Sequence, residues 1–132
     1  MASESKHISV HIERTPAEVY EYAADPAHLP EWAAGLCSGV ERQGERWFAV
    51  SGDDRIELTF AADNPFGVLD HNVHLPTGEV FRNPIRVVAH DEGSELTFTL
   101  RRQPAMTDAD FARDSGLVLA DLEALKRIVE SR

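Results

Sequence analysis

The chain has 132 residues, 42% of them hydrophobic and 27% charged. That is the length of one ordinary domain, 1–132, with enough apolar matter for a core and a composition unlike that of disordered chains. Thirteen Lys and Arg against twenty-three Asp and Glu leave a net charge of −10, which a phosphate backbone would repel, so nucleic-acid binding is disfavoured.

No apolar run approaches the roughly 18 residues of a membrane span. The start, "MASESKHISV", lacks the basic-then-apolar layout of a signal peptide. A cytoplasmic protein with no membrane insertion is expected. The single cysteine, Cys37, excludes an internal disulfide. With no flanking base it reads as a small core or edge residue rather than a nucleophile.

In chain order, "HISVHIE" (7–13) alternates, with Ile8, Val10 and Ile12 on one face, the pattern of a half-buried strand. Thr15, Pro16 and Glu18 then form an N-cap, a first-turn proline and a capping box. Asp25-Pro26 repeats the cap-plus-proline signal, so two short helices are predicted, over 16–24 and 26–34, with Gly35 as the second stop. Neither is long enough to be stable alone. Tyr20 and Tyr22 read as helix-packing residues.

Six strands are expected next. A weak one covers 36–43, and two more flank the hairpin signal Gly52-Asp53, which pairs Trp47 with Leu58 and Ala49 with Ile56. The others are "GVLDHNVHL" (67–75), "EVFRNPIRVVAH" (79–90) and "SELTFTLRR" (94–102). Short turns join them, so the seven strands should form an antiparallel sheet. The last element is a long helix capped by Thr107 and Asp110. Its stripe is Phe111, Val118, Leu122, Leu125 and Val129, widened by Leu119 and Ile128. Lys126, Arg127 and Arg132 complement its C-terminus.

The order of strand, two short helices, six strands and long terminal helix resembles the helix-grip superfamily. That group includes START-related lipid carriers, polyketide cyclases and dehydrases, and birch-pollen-allergen-like proteins. The resemblance rests on "ISVHIERTPAEVYEYAADPAHLPEW", "GSELTFTL" and "DLEALKRIVE", and is nearest to the compact bacterial polyketide cyclase/dehydrase-like proteins. It implies an α+β fold in which a curved antiparallel sheet wraps the long helix. The short helices would close one end, with Trp32 near it. A cavity between sheet and helix would bind or carry a small hydrophobic or amphipathic molecule, lipids included, without a cofactor. The same cavity in a cyclase or dehydrase would serve a lyase-type enzyme, and the Hsp90-activator relatives would make it an interaction module. A homodimer is compatible with all three.

Polar residues on the inward faces are therefore informative. The apolar face of 67–75 carries His71 inward, and that of 79–90 carries Asn83. A three-residue turn at Thr77-Gly78-Glu79 would pair Leu75 with Phe81 and set Asn83 diagonal to His71. His71 is either a satisfied core histidine, a polar anchor for a ligand, or a proton-transfer group, the weak catalytic candidate, with Asp70 or His74 as its only helpers. Trp32, Trp47, Leu58, Phe60, Val73, Phe81, Phe98, Val118 and Leu122 complete the candidate ligand-binding set, though a plain core would use them equally well. No metal site is expected. His7 and His11 share a face but lie roughly 13 Å apart at strand rise, and His71 and His74 point to opposite faces.

Overall fold

The computed structural model describes residues 2–34 and 37–132. The expected helix stop at Gly35, and Leu36 after it, lie outside the described residues.

Strand β1 (Ser5–Ile12) leads into helix α1 (Pro16–Ala23). Thr15 closes a capping box with Glu18, as its sequence predicts. A single 3₁₀ turn (Pro26–His28), capped by Asp25, runs into α2 (Leu29–Trp32), shorter than the expected 26–34. The strands that follow are β2 (Gly39–Gln43), β3 (Arg46–Ser51), β4 (Asp54–Phe60), β5 (His71–His74), β6 (Val80–Asn83), β7 (Ile85–His90) and β8 (Gly93–Arg101). Helix α3 (Asp108–Glu130) closes the chain, with the Thr107–Asp110 capping box in place.

The strands form two antiparallel sheets rather than one of seven strands, in the orders β1-β8-β7 and β2-β3-β4-β5-β6. The difference arises at Pro84. Without an N–H it cannot extend the ladder as donor, and the expected strand 79–90 changes partner there. Residues before it pair with β5 and residues after it with β8. The Pro84 carbonyl still accepts from Thr99 N (2.9 Å), which ties the two sheets together.

The segment 67–70 was also expected in a strand. It crosses instead to β7 through Leu69 N to Ile85 O (2.8 Å) and Val87 N to Gly67 O (3.0 Å). Asn64 shapes this crossing. Its Oδ1 accepts from Phe66 N and Val68 N, and its Nδ2 donates to Ala62 O and Val68 O. Gly67 has φ +74°, and a Cβ there would sit 2.2 Å from Val87 O. No other residue fits that approach.

The hairpin register Trp47–Leu58 and Ala49–Ile56 is as read from the sequence. The β5–β6 register is not. Val73, rather than Leu75, faces Phe81, and His71 sits directly opposite Asn83. The loop is still three residues long but spans Pro76–Gly78, closed by Leu75 N to Glu79 O. A slip of two keeps every side chain on its face, so His71 and Asn83 still point the same way.

The core joins Ile12, Val19, Leu58, Val73, Leu96, Leu122 and Leu125, all 5% exposed or less. Helix α3 lies along β1 and against α2. Leu119, expected to widen its apolar stripe, is instead 39% exposed. Its last turn is held by residues far away in sequence. Arg14 donates to the carbonyls of Glu130 (2.6 Å) and Arg132 (3.1 Å), and Lys126 donates to His11 O. No helix among the described residues is long and apolar enough to cross a membrane.

Candidate functional site

A cavity of about 250 Å³ lies under the N-terminal half of α3. Its floor is sheet, with His71 from β5, Phe81 and Asn83 from β6, and Phe98 and Leu100 from β8. Trp32 and Leu29 of α2 close one side, and Asp114, Leu117, Val118 and Asp121 of α3 form the roof. Arg101 and Gln103 also line it. A second void of about 30 Å³ sits behind His71, Trp32 and Leu29, against Phe60 and Leu125.

Six candidates from the sequence, Trp32, His71, Phe81, Asn83, Phe98 and Val118, therefore line one cavity. Phe60 faces the smaller void. Leu58, Val73 and Leu122 are buried in the core, and Trp47 lies apart beneath the Arg42 guanidinium (5.8 Å).

His71 is 6% exposed and ringed by Phe60 and Phe98, with centroids 6.1 and 6.5 Å away. Burial pushes its pKa down to about 4 against a small upward pull from Asp70, so it is neutral at pH 7. The Asn83 amide Nδ2 donates to its Nε2 (3.3 Å). In this arrangement Nε2 accepts from the amide when the ring proton sits on Nδ1. Asp70, weighed as a helper, is engaged elsewhere. Its carboxylate accepts from Arg86 (2.7 and 2.9 Å) and from Ile85 N (2.9 Å), bonds that lower its pKa. His74 meets Thr59 on the opposite face (2.9 Å).

Two features of the cavity escaped the sequence. Burial alone raises the Asp121 carboxyl to about 6, and the indole Nε1–H of Trp32 is buried with no partner among the described residues. An Asp three residues after Val118, on the edge of the α3 stripe, was the available signal for the first. Cys37 is buried, and burial followed by the Asp121 charge pushes its thiol pKa up, opposite to what a nucleophile needs. Among the described residues no group of three or more His, Cys, Asp or Glu side chains is placed to hold a metal ion.

No family model matches the chain, and no curated protein matches it in sequence. Solved structures do match in shape. The crystal structure of Ara h 8.0201 aligns over 98% of this chain and 99% of its own, with TM-score 0.69 and 15% identity. The Aha1 dimer from Colwellia psychrerythraea aligns over 96% of both chains, with TM-score 0.72 and 13% identity. DynU16, from the dynemicin biosynthetic locus, is matched over 96% of this chain but 47% of its own, with TM-score 0.71 and 18% identity. At such identities the likeness is one of fold, and the fold of this chain is the α+β helix grip that these structures share.

Proposed function

We propose that the protein binds or carries a small hydrophobic or amphipathic molecule in the cavity between the sheet and α3. One observation carries this reading. A half-open space of about 250 Å³ lies between α3 and strands β5, β6 and β8. Its walls are mostly apolar with a few polar groups, the usual character of a small-molecule site. Trp32 sits in the wall, so its emission reports occupancy. A panel of lipids, flavonoids and aromatic polyketides should contain members that shift tryptophan fluorescence and raise the melting temperature. A panel that changes neither would remove the reading.

A catalytic use of the same cavity, in the cyclase or dehydrase sense, is favoured by a different observation. His71 is unprotonated, Asp121 is held partly protonated near pH 6, and both line the cavity. Groups pushed apart in this way suit acid–base roles. His71→Gln separates the readings. An anchor replaced by an amide should weaken binding only several-fold, the worth of one hydrogen bond at about 0.5–1.5 kcal/mol. A proton-transfer group so replaced should lose roughly 10²–10⁴ in turnover while binding survives.

A further inference from the structure

We infer that the free edge of β7 is a docking site for an extended, basic segment of another protein, anchored on the exposed ring of Phe66. The site shares no residue with the cavity under α3 and does not depend on the binding reading above.

The backbone supplies the first element. In β7 the odd-numbered residues turn their polar groups away from β8. Ile85 O accepts from Leu69 N (2.8 Å), and Val87 N donates to Gly67 O (3.0 Å). Ala89 follows the same alternation. Extended past Val68–Arg86, this pairing would set Pro65 opposite Ala89, and proline has no N–H to give. The chain turns away at Gly67 instead. The N–H and C=O of Ala89 therefore face outward with no backbone partner among the described residues. An unpaired strand edge accepts a further strand.

Side chains supply the second element. Along this edge runs an open groove between Pro16 and Ala17 at the start of α1 and the loop that carries Phe66, with Val88 on its β7 side. Phe66 is 78% exposed and Val88 50%. The Phe66 ring stands on a fixed backbone. Phe66 N donates to Asn64 Oδ1 (3.0 Å), Asn64 N donates to the Tyr20 hydroxyl (3.0 Å), and Gly67 is pressed against Val87 O. A large ring held in place loses little freedom when a partner covers it, which is the character of an interface anchor.

Charge decides the occupant. Among the described residues no charged side chain lines the groove. Flanking it in the chain stand Glu18, Asp63, Asp91 and Glu92, all exposed. The two neighbouring cations are committed, Arg86 to Asp70 (2.7 Å) and Arg14 to the carbonyls at the end of α3. A segment with Lys or Arg on either side of an apolar residue meets opposite charge here, and the net −10 of the chain draws it in. A second copy fits badly. Symmetric pairing about Ala89 would put its Asp91 against Val87, where Gly67 already lies. A register slid clear of Gly67 would crowd Asp91 and Glu92 of both copies together.

The test pans a display library of short random peptides on the native chain at low salt. Selected peptides are then synthesised and titrated by calorimetry and amide NMR. Their sequences should place alternating apolar residues between lysines or arginines, binding should shift the Ala89 amide, and added salt should weaken it. Phe66→Ala should weaken binding roughly 30-fold or more, as loss of a hot-spot side chain does. Ala89→Pro removes only an outward N–H, a change that edge strands tolerate. It should weaken binding roughly 3- to 10-fold, the worth of one net hydrogen bond, while the melting temperature holds. Selection of peptides rich in Asp and Glu, or of none, overturns the inference, as does binding indifferent to both substitutions. A concentration-dependent dimer, seen by sedimentation and abolished in Phe66→Ala, also overturns it, because the occupant is then a second copy.

Discussion

The two halves of α3 meet the sheet on different terms. In the C-terminal half Leu122, Leu125 and Val129 are each 2% exposed or less. Lys126 pairs with Glu130 (2.9 Å), which also accepts from Glu13 N (2.8 Å), and Arg14 caps the end. In the N-terminal half the helix touches down at Phe111, beneath the charged groups of Lys6 and Arg102. It then spans the cavity with Leu117 half exposed and Val118 only partly covered. One end is fastened and the other roofs a space. A helix gripped throughout would leave no room for a ligand, and one loose throughout would not hold the fold.

Truncations should break the symmetry of the stripe. Leu122→Ala removes a fully buried side chain and should cost about 2–5 kcal/mol of stability. Val118→Ala, one helical turn earlier, enlarges an existing space and should cost less than about 1 kcal/mol. Urea unfolding of both variants measures the contrast. Equal costs would mean that α3 is packed alike along its length.

Titration should sharpen the same contrast, because two groups on the cavity wall pull in opposite directions. The folded pKa of His71 lies near 4, below its ordinary 6.5. The unfolded chain therefore binds more protons between those values, and stability falls as pH drops through that window. The Asp121 carboxyl is raised from 3.8 to about 6. Its folded form binds more protons between those values, so stability rises as pH drops through that window. The two slopes largely cancel between about pH 4.5 and 6, above the range where Glu130 and Asp70, both lowered, are lost to acid. His71→Phe should leave a protein that grows more stable on acidification over this range, the worth of the lost histidine slope being of order 2–3 kcal/mol. Asp121→Asn should leave one that grows less stable, and should gain about 1 kcal/mol at pH 8 once partial exposure is allowed for. Melting temperatures of the three proteins at pH 4.5, 6 and 8 decide. Parallel curves would show that neither group titrates from a buried setting.

The smallest effects concern the caps. Thr107→Ala opens the roof end of α3, and Thr15→Ala opens α1. Each removes a side-chain acceptor from its helix start, Asp110 N (3.1 Å) or Glu18 N (3.2 Å), and should cost about 0.5–2 kcal/mol. Of the two, Thr107→Ala should also alter ligand affinity, since only that cap anchors the cavity roof. A thermal shift with and without a bound probe measures both.

What the sequence could reveal follows the range of the forces involved. Caps, turns and apolar stripes act over a few residues, so Thr15–Glu18, Thr107–Asp110, the 52–53 hairpin and the α3 stripe were all legible. So was the inward direction of His71 and Asn83, because strand parity survives a register slip of two. Phe48 shows the limit. Alternation assigns it to the outer face, yet it is 7% exposed because the Arg55 and Arg46 guanidinia cover its ring at 3.8 and 5.1 Å. That shelter comes from another strand and a charged rim, which no periodicity records.

The element order and the helix-grip likeness were thus set by local patterns in the chain itself. Tertiary structure decided the rest. It determined that the strand broken at Pro84 joins two sheets rather than continuing one, because the missing N–H matters only once two partners compete for that strand. It placed Trp32, His71, Asn83 and Asp121, separated by up to 89 residues in the chain, around one space. Burial, which depends on everything packed nearby, then turned an ordinary aspartate and histidine into groups that titrate near 6 and 4.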